Sequence, residues 1–309
     1  MEHWVAFPKL GIQLTVPQSV VKFSLFGMDM DIRWYGLLIA LGFALAVIYA
    51  NVRAPKLGVD RDRMMDVVLV TAVVAVLCTR LYYVLFSDPA YYFTHPEKIL
   101  AIWDGGLAIY GGIIGAFSCG FLMCRIKKIS VRTMFDMTAV GFLIGQGIGR
   151  WGNFFNQEAY GANTNLPWGM TGDIIQRGIN GEVADQAAPV HPTFLYESLW
   201  CLLGALVLHV MFVKAYRFRG QIFASYLMWY GAERVFVEGL RADSLMIGVL
   251  RVSQLVAIAA IVLGIALFVL LPRYDKIRTA QQQMDALLAE DTTEDTLTLQ
   301  EDEEYGSDH

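Results

Sequence analysis

Seven apolar runs of spanning length alternate with short polar connections along the chain, near residues 34–52, 66–86, 105–124, 134–151, 193–213, 221–239 and 252–271. Each is long enough to cross a hydrocarbon core of about 30 Å as a helix rising ~1.5 Å per residue. The first thirty residues mix apolar, polar and charged positions and lack the compact apolar core of a cleavable signal peptide. Gly11, Pro17 and the alternation over 20–25 predict a short amphipathic or strand-like piece there. Residues 162–192 form a polar connection too long for a tight turn, which predicts a small cap or lid. Beyond about residue 279 polarity is high and aromatics are few, which predicts a short helical extension followed by disorder. The expected fold is an all-α polytopic membrane protein. Residues 1–272 would form a seven-helix transmembrane body with a small extracytoplasmic segment between the fourth and fifth helices, and 273–309 an acidic cytoplasmic tail, largely disordered.

Composition agrees, with 56% hydrophobic and only 17% charged residues among 309. The net charge of −5 conceals an asymmetry. Residues 279–309 hold ten acids and no Lys or Arg, so the remainder carries 24 basic against 19 acidic residues. Fourteen Lys and Arg flank the ends that follow the first, third, fifth and seventh runs, against seven on the opposite side. That bias makes the richer side cytoplasmic and puts the N-terminus outside. The four cysteines fall in apolar runs without metal-ligand or CxxC spacing, and the five His are scattered, so no metal site is expected. No nucleic-acid partner is expected.

Three Arg remain inside or at the ends of the runs: Arg80, Arg150 and Arg234. An Arg at the bilayer centre costs roughly 2.5–3.5 kcal/mol on insertion scales, so each needs a reason. Arg150 opens a run of one Arg, two Asn, one Glu and several glycines, Gly149-Arg150-Trp151-Gly152-Asn153-Phe154-Phe155-Asn156-Gln157-Glu158-Ala159-Tyr160-Gly161. Arg and Asn supply forked donors that suit a phosphate. Tyr230, Arg234 and Glu238 recur at i, i+4 and i+8 on one helix face, with Glu233 adjacent. Tyr35 begins the first run, Tyr110 the third between two Gly-Gly pairs, and His191 and Glu197 the fifth. The bland alternatives are an interfacial aromatic for Tyr35, a snorkelling Arg80 and a purely structural Arg234–Glu238 pair. Packing also accounts for the small-xxx-small glycines at 111 and 115 and at 141, 145 and 149, though not for the double glycines around Tyr110. On the membrane map all the unusual polar groups fall at one depth, in the outer-leaflet half, as a site for an anionic group would require.

These residues resemble the bacterial phosphatidylglycerol–prolipoprotein diacylglyceryl transferases. The run from Gly149 to Gly161 carries the likeness most specifically. Trp34-Tyr35-Gly36, Trp103-Asp104-Gly105-Gly106, His191-Pro192-Thr193 with Tyr196-Glu197, and Tyr230 through Glu238 with Gly239-Leu240-Arg241 extend it over about residues 30–272. The resemblance implies a seven-span enzyme of the bacterial inner membrane, with its active site in the outer-leaflet half and no metal or organic cofactor. It would move the diacylglyceryl group of phosphatidylglycerol to the thiol of the lipobox cysteine in a prolipoprotein signal peptide. A thioether forms, glycerol 1-phosphate leaves, and the product passes to signal peptidase II. It further implies that Arg150 and Arg234 bind the phosphate, with Asn153, Asn156, Glu158, Tyr230 and Glu238 fixing it and the glycerol, and that Tyr35 and Gly161 are functional positions. Arg80 is added on its depth alone. Many members have His where this chain has Tyr110. A Tyr, with an unperturbed pKa near 10, is a poorer base than His. Two readings stay open: nearby Arg residues activate Tyr110, or a cationic field activates the substrate thiol directly, whose ordinary pKa near 8.5 needs little help. A transporter would need polar lining on both halves and an inverted repeat, and neither is visible. A CDP-alcohol type transferase would need an Asp-rich metal motif, which is lacking. A lipid-binding scaffold without turnover is the remaining alternative.

Overall fold

The computed structural model describes residues 3–25, 28–101, 105–178, 185, 187–241, 246–247 and 250–306. Its chain order is β1 (Trp4–Phe7), β2 (Ile12–Thr15), β3 (Ser19–Leu25), β4 (Met28–Arg33), α1 (Trp34–Arg53), α2 (Arg61–Phe86), α3 (Pro89–Thr94), α4 (Ile109–Ile126), α5 (Val131–Asn156), β5 (Thr171–Gly172), α6 (Asp173–Arg177), α7 (Thr193–Lys214), α8 (Gln221–Leu240), β6 (Met246–Ile247), β7 (Leu250–Arg251) and α9 (Val252–Gly306). Seven long helices among the described residues fall on the seven apolar runs. By length and composition five of them could cross a membrane: those beginning at Trp34, Arg61, Ile109, Thr193 and Val252. The other two, α5 and α8, are the ones that carry Arg150 and Arg234.

Helix ends follow local chemistry. The Asp60 carboxylate accepts from the Arg63 amide at 2.9 Å to start α2, and the Ser130 hydroxyl accepts from the Thr133 amide at 3.4 Å to start α5. The start of α8 is capped from another helix. Asp136 of α5, fully buried, accepts from the amides of Gly220 (2.6 Å) and Phe223 (2.9 Å) and from the Tyr216 hydroxyl (2.8 Å). A carboxylate there satisfies orphan helix amides and sits at the positive end of the dipole.

Glycines set the close helix contacts. A Cβ on Gly42 of α1 would stand 3.0 Å from Gly145 Cα of α5, and one on Gly141 would stand 3.0 Å from Ala46. On α4, a Cβ at Gly111 would lie 2.2 Å from the Cys78 carbonyl of α2. The small-xxx-small spacing is thus a packing device, as its period suggests.

Three features differ from the sequence reading. The fold is not purely helical: β2, β1 and β5 form an antiparallel sheet in that spatial order, and β3–β4 and β6–β7 are hairpins. The strand-like character of the first thirty residues was visible; its pairing with a segment some 165 residues away was not. α4 begins at Ile109 rather than 105, because Gly105 (φ 82°) and Gly106 (φ 68°) take the left-handed conformation. α9 continues to Gly306, well past a short extension, through residues such as Ala, Leu, Gln and Glu that favour helix.

The sheet and residues 160–178 and 187–190 build a cap over one end of the bundle. Its core is Val5, Val16, Phe154, Tyr160, Met170, Ile175, Val190 and Phe194. Gln157, fully buried at the end of α5, donates to the Trp4 carbonyl (3.1 Å) and to Asp173 (3.0 Å) and accepts from the Ile174 amide (3.1 Å). Asp173 also meets His3 at 2.7 Å and the Trp4 amide at 3.1 Å. Burial pushes the Asp173 carboxyl up, but the hydrogen bonds from His3, Gln157 and Trp4 outweigh it and hold the group below the usual carboxylate value. The folded pKa is depressed, so the stabilisation is present above the unfolded carboxylate pKa of about 3.9 and is lost as pH falls below it through the lower folded value. Hydrogen-exchange protection of the β1 amides is expected to drop selectively below about pH 4, and Asp173→Asn should show reduced protection already at neutral pH.

Candidate functional site

The centre of the site is a three-helix ion cluster. Arg150, in the last two turns of α5, pairs through Nε with Glu197 Oε2 in the first turns of α7. Arg234 of α8 reaches Glu197 Oε1 at 3.7 Å and Glu238 Oε2, one turn on, at 2.6 Å. The Glu197 side chain is 1% exposed and Arg150 22% exposed. One buried carboxylate therefore holds two guanidiniums from different helices. Such pairing is what allows Arg to sit inside a bundle of apolar helices. Glu233, also buried, approaches Cys201 Sγ of α7 at 3.7 Å behind the cluster.

Arg150 faces a cavity of about 430 Å³. Asn153, one turn further on α5, lies on the same helix face and lines it too, as do Tyr35 of α1 and Tyr230 of α8. Its remaining walls are mostly apolar: Ile39, Phe43, Ala46, Val47 and Ala50 of α1, Val68 of α2, Ile109 of α4, and Gly141, Phe142, Gly145 and Gly149 of α5. Thr138 and Gln146 of α5 are polar exceptions along the trough, while Arg150, Asn153 and Tyr35 gather at the end where α5 finishes and α1 begins. Among the described residues Arg150 is the one charged group on its wall. Glycines make the room: a Cβ on Gly152 would lie 2.4 Å from the Tyr35 ring, and the α1–α5 glycine contacts border the apolar part. Tyr230 stacks on Tyr226 at 5.9 Å, which in turn accepts from Gln146 at 3.1 Å.

The other expected residues take supporting positions. Glu158 is not on the cavity wall; its Oε1 accepts from Asn153 (2.9 Å) and Asn156 (3.2 Å), fixing the Asn153 amide. Arg234 and Glu238 stand behind Arg150, joined to it through Glu197. Gly161 is not on the wall of this cavity. Its amide donates to the His191 carbonyl at 3.0 Å, and the next amide, of Ala162, donates to the Leu240 carbonyl at 2.8 Å. A Cβ at Gly161 would lie 2.7 Å from His191 Cβ and 2.8 Å from Leu240 O. The glycine lets the connection after α5 clamp the end of α8 to the start of α7, which holds Glu238, Arg234 and Glu197 in register. Gly161→Ala is expected to force these backbones apart and to lower both the melting temperature and any activity of the site, measured side by side on purified protein; overpacking of this kind costs about 1–3 kcal/mol.

Arg80 and Tyr110 are placed elsewhere. Arg80, buried, donates to four backbone carbonyls: Ile99 (3.0 Å), Lys98 (2.7 Å), Gly105 (2.5 Å) and Gly106 (3.0 Å). Its guanidinium also lies over the Tyr83 and Tyr92 rings, at 5.8 Å and 5.4 Å. It lines a separate cavity of about 150 Å³. The first Gly-Gly pair is shaped around this Arg, and the second, Gly111-Gly112, packs on α2. Tyr110 is 47% exposed, with its ring 6.4 Å from that of Tyr82. It does not line the 430 Å³ cavity, although its neighbour Ile109 does. Trp103, Asp104, Asp243 and Ser244 lie outside the described residues. Among those described, no cluster of His, Cys, Asp and Glu could hold a metal ion.

Sequence reasoning flagged Glu197 as an acid inside an apolar run but did not give it its role as the shared partner of both Arg. Gln157 and Asp136 were missed. A carboxylate within a run that otherwise reads as spanning was the available signal for Asp136; Gln157 offered none.

Long apolar helices around an amphipathic, Arg-walled cavity define a multi-pass membrane protein. The family model described as "Prolipoprotein diacylglyceryl transferase" matches residues 21–270, and the chain belongs to that family. It is 38% identical over 262 residues to the phosphatidylglycerol–prolipoprotein diacylglyceryl transferase of Clostridioides difficile (strain 630), covering 85% of this chain and 99% of that protein. Like-named proteins of Clostridium novyi (strain NT) and Finegoldia magna are 42% and 44% identical, over 81% and 80% of this chain and 94% and 93% of theirs.

Proposed function

We propose that this protein transfers the diacylglyceryl group of phosphatidylglycerol to the lipobox cysteine of a prolipoprotein, releasing glycerol 1-phosphate. The observation that carries the reading is the cavity that joins an apolar trough to Arg150, Asn153, Tyr35 and Tyr230 at one end. That is the shape and polarity of a phospholipid with its phosphate at the guanidinium. The names of the relatives supply the reaction.

The chemistry is a displacement at carbon. The cysteine sulfur, as thiolate, bonds to the glyceryl carbon that carries the phosphate ester. The C–O bond breaks, and its electron pair leaves on glycerol 1-phosphate. Negative charge moves from sulfur to the departing phosphate, so a fixed cation aimed at that phosphate lowers the barrier. Arg150 occupies that position, with Arg234 reinforcing it through Glu197. Asn153, oriented by Glu158, donates to the phosphate or glycerol. No protein nucleophile, metal or cofactor enters the step.

The exposed setting of Tyr110, off the cavity wall, favours activation of the substrate thiol by the cationic field over base catalysis by the phenol. Tyr110→Phe is therefore expected to keep measurable transfer; complete loss, equal to that of an Arg variant, would reject the thiol-activation version.

In the bilayer all seven long helices would span, the N-terminus outside and α9 emerging into the cytoplasm of a bacterium. The site then opens in the outer half of the inner membrane, upstream of signal peptidase II. α5 and α8 fall short of a spanning composition because they carry polar residues at both ends, Arg150 and Arg234 in the ion cluster and Asp136 and Gln221 at the opposite end. The test is purified protein with phosphatidylglycerol and a lipobox peptide. A mass gain of one diacylglyceryl group on the peptide is expected; unchanged peptide with saturable lipid binding would select a scaffold instead.

A further inference from the structure

A second cavity, of about 1320 Å³, opens at the far end of the bundle, among the N-terminal end of α5, the α7–α8 connection and α9. Arg132, at the start of α5, lines it; Arg150 follows eighteen residues later, or ~27 Å along the helix axis. That separation is close to the thickness of a hydrocarbon core, so the two cavities address opposite leaflets.

The lining divides by chemistry. Met211, Ala215, Phe218, Phe268 and Pro272 give apolar walls. Arg132, Arg217, Arg219, Lys276 and Arg278 bring five cations. Asp275, the one carboxylate on the wall among the described residues, is engaged by Arg132 in a fork at 3.0–3.1 Å, which ties α9 to α5. Among the described residues no carboxylate forms an ion pair with Arg217, Arg219, Lys276 or Arg278. Four cations thus converge on one cavity with apolar flanks, with no carboxylate paired to them among the described residues.

We propose that this cavity is a binding site for the phosphate headgroup of an anionic phospholipid in the leaflet opposite the Arg150 cavity, with its acyl chains lying against Phe218, Phe268 and Met211. Basic pockets between helices near the membrane surface take such headgroups. The ten acids after residue 279 are the obvious internal rivals. The comparison of the full chain with a shortened one, below, separates them from a lipid. The site lies away from the transfer chemistry, and its occupant anchors α9 against α5 and the α7–α8 connection. The inference stands whether or not the transfer reading holds.

The test is native mass spectrometry of the full chain, delipidated and titrated with phosphatidylserine, against Arg217→Gln/Arg219→Gln/Lys276→Gln/Arg278→Gln. Phosphatidylcholine with the same acyl chains serves as the neutral control. Wild type is expected to retain one more phosphatidylserine than the variant, with an affinity difference on the order of 1000-fold for four cations near the membrane surface. Phosphatidylcholine adducts and basal transfer should be equal in the two. Equal phosphatidylserine retention would overturn the proposal. So would inorganic phosphate competing away the extra lipid at matching concentration, which would assign the cavity to a soluble phosphate. Disappearance of the wild-type advantage in chains lacking 284–309 would make the acidic tail part of the site and equally overturn it.

Discussion

Arg150→Ala is expected to lower diacylglyceryl transfer by at least about 100-fold, the loss typical of one fixed donor removed from developing negative charge. Arg150 is the charged group on the cavity wall, and the phosphate gains most charge as the ester bond breaks. Arg234→Ala should fall nearly as far, because Glu197 would then be shared with one guanidinium instead of two and would draw Arg150 away from the cavity. Either single change leaves a buried carboxylate short of a partner, so lost folding could imitate lost chemistry. Arg150→Ala combined with Glu197→Gln separates the two. Folding should recover in the double variant, read as melting temperature, while transfer stays low. Turnover of Arg150→Ala within threefold of wild type would remove this residue from the mechanism.

Glu197→Ala should produce the largest loss of stability. Breaking a buried ion pair by deleting one partner costs about 3–5 kcal/mol, and here one carboxylate serves two Arg. Arg234 keeps Glu238 at 2.6 Å, whereas among the described residues no second carboxylate is within ion-pair distance of Arg150. The change should therefore show as a large drop in melting temperature together with weaker phosphatidylglycerol binding, since Arg150 is no longer aimed. Glu197→Gln, of equal volume, should lose less stability and retain some activity. A Glu197→Ala protein with wild-type melting would show that the cluster does not hold α5, α7 and α8 together.

Much of this was legible in the chain. Runs of twenty apolar residues could only be long helices, and an Arg inside such a run needs a partner, which pointed to Arg150, Arg234 and the acids near them. Which acid partners which Arg was not legible. Glu197 and Arg150 are 47 residues apart, and only the packing of α5 against α7 brings them together. Arg80 shows the converse. Its depth suggested a ligand, yet its donors close on carbonyls 18 to 26 residues away, a contact set by two left-handed glycines that periodicity cannot reveal. The cap is the third case. Its sheet joins residues 4–15 to 171–172 through a buried Gln157, a residue type that carries no signal for such a role.

The seat of the donor lipid is the claim on which the account depends, and photo-crosslinking addresses it most directly. Phosphatidylglycerol with a diazirine on one acyl chain, irradiated on the purified protein, is expected to label peptides of α1 around residues 39–47 and of α5 around 141–149, the apolar walls beneath Arg150. Labelling should be competed by unmodified phosphatidylglycerol and lost in Arg150→Ala. Label spread over lipid-facing surfaces of α7 and α9, unaffected by competitor or by the Arg150 substitution, would contradict it.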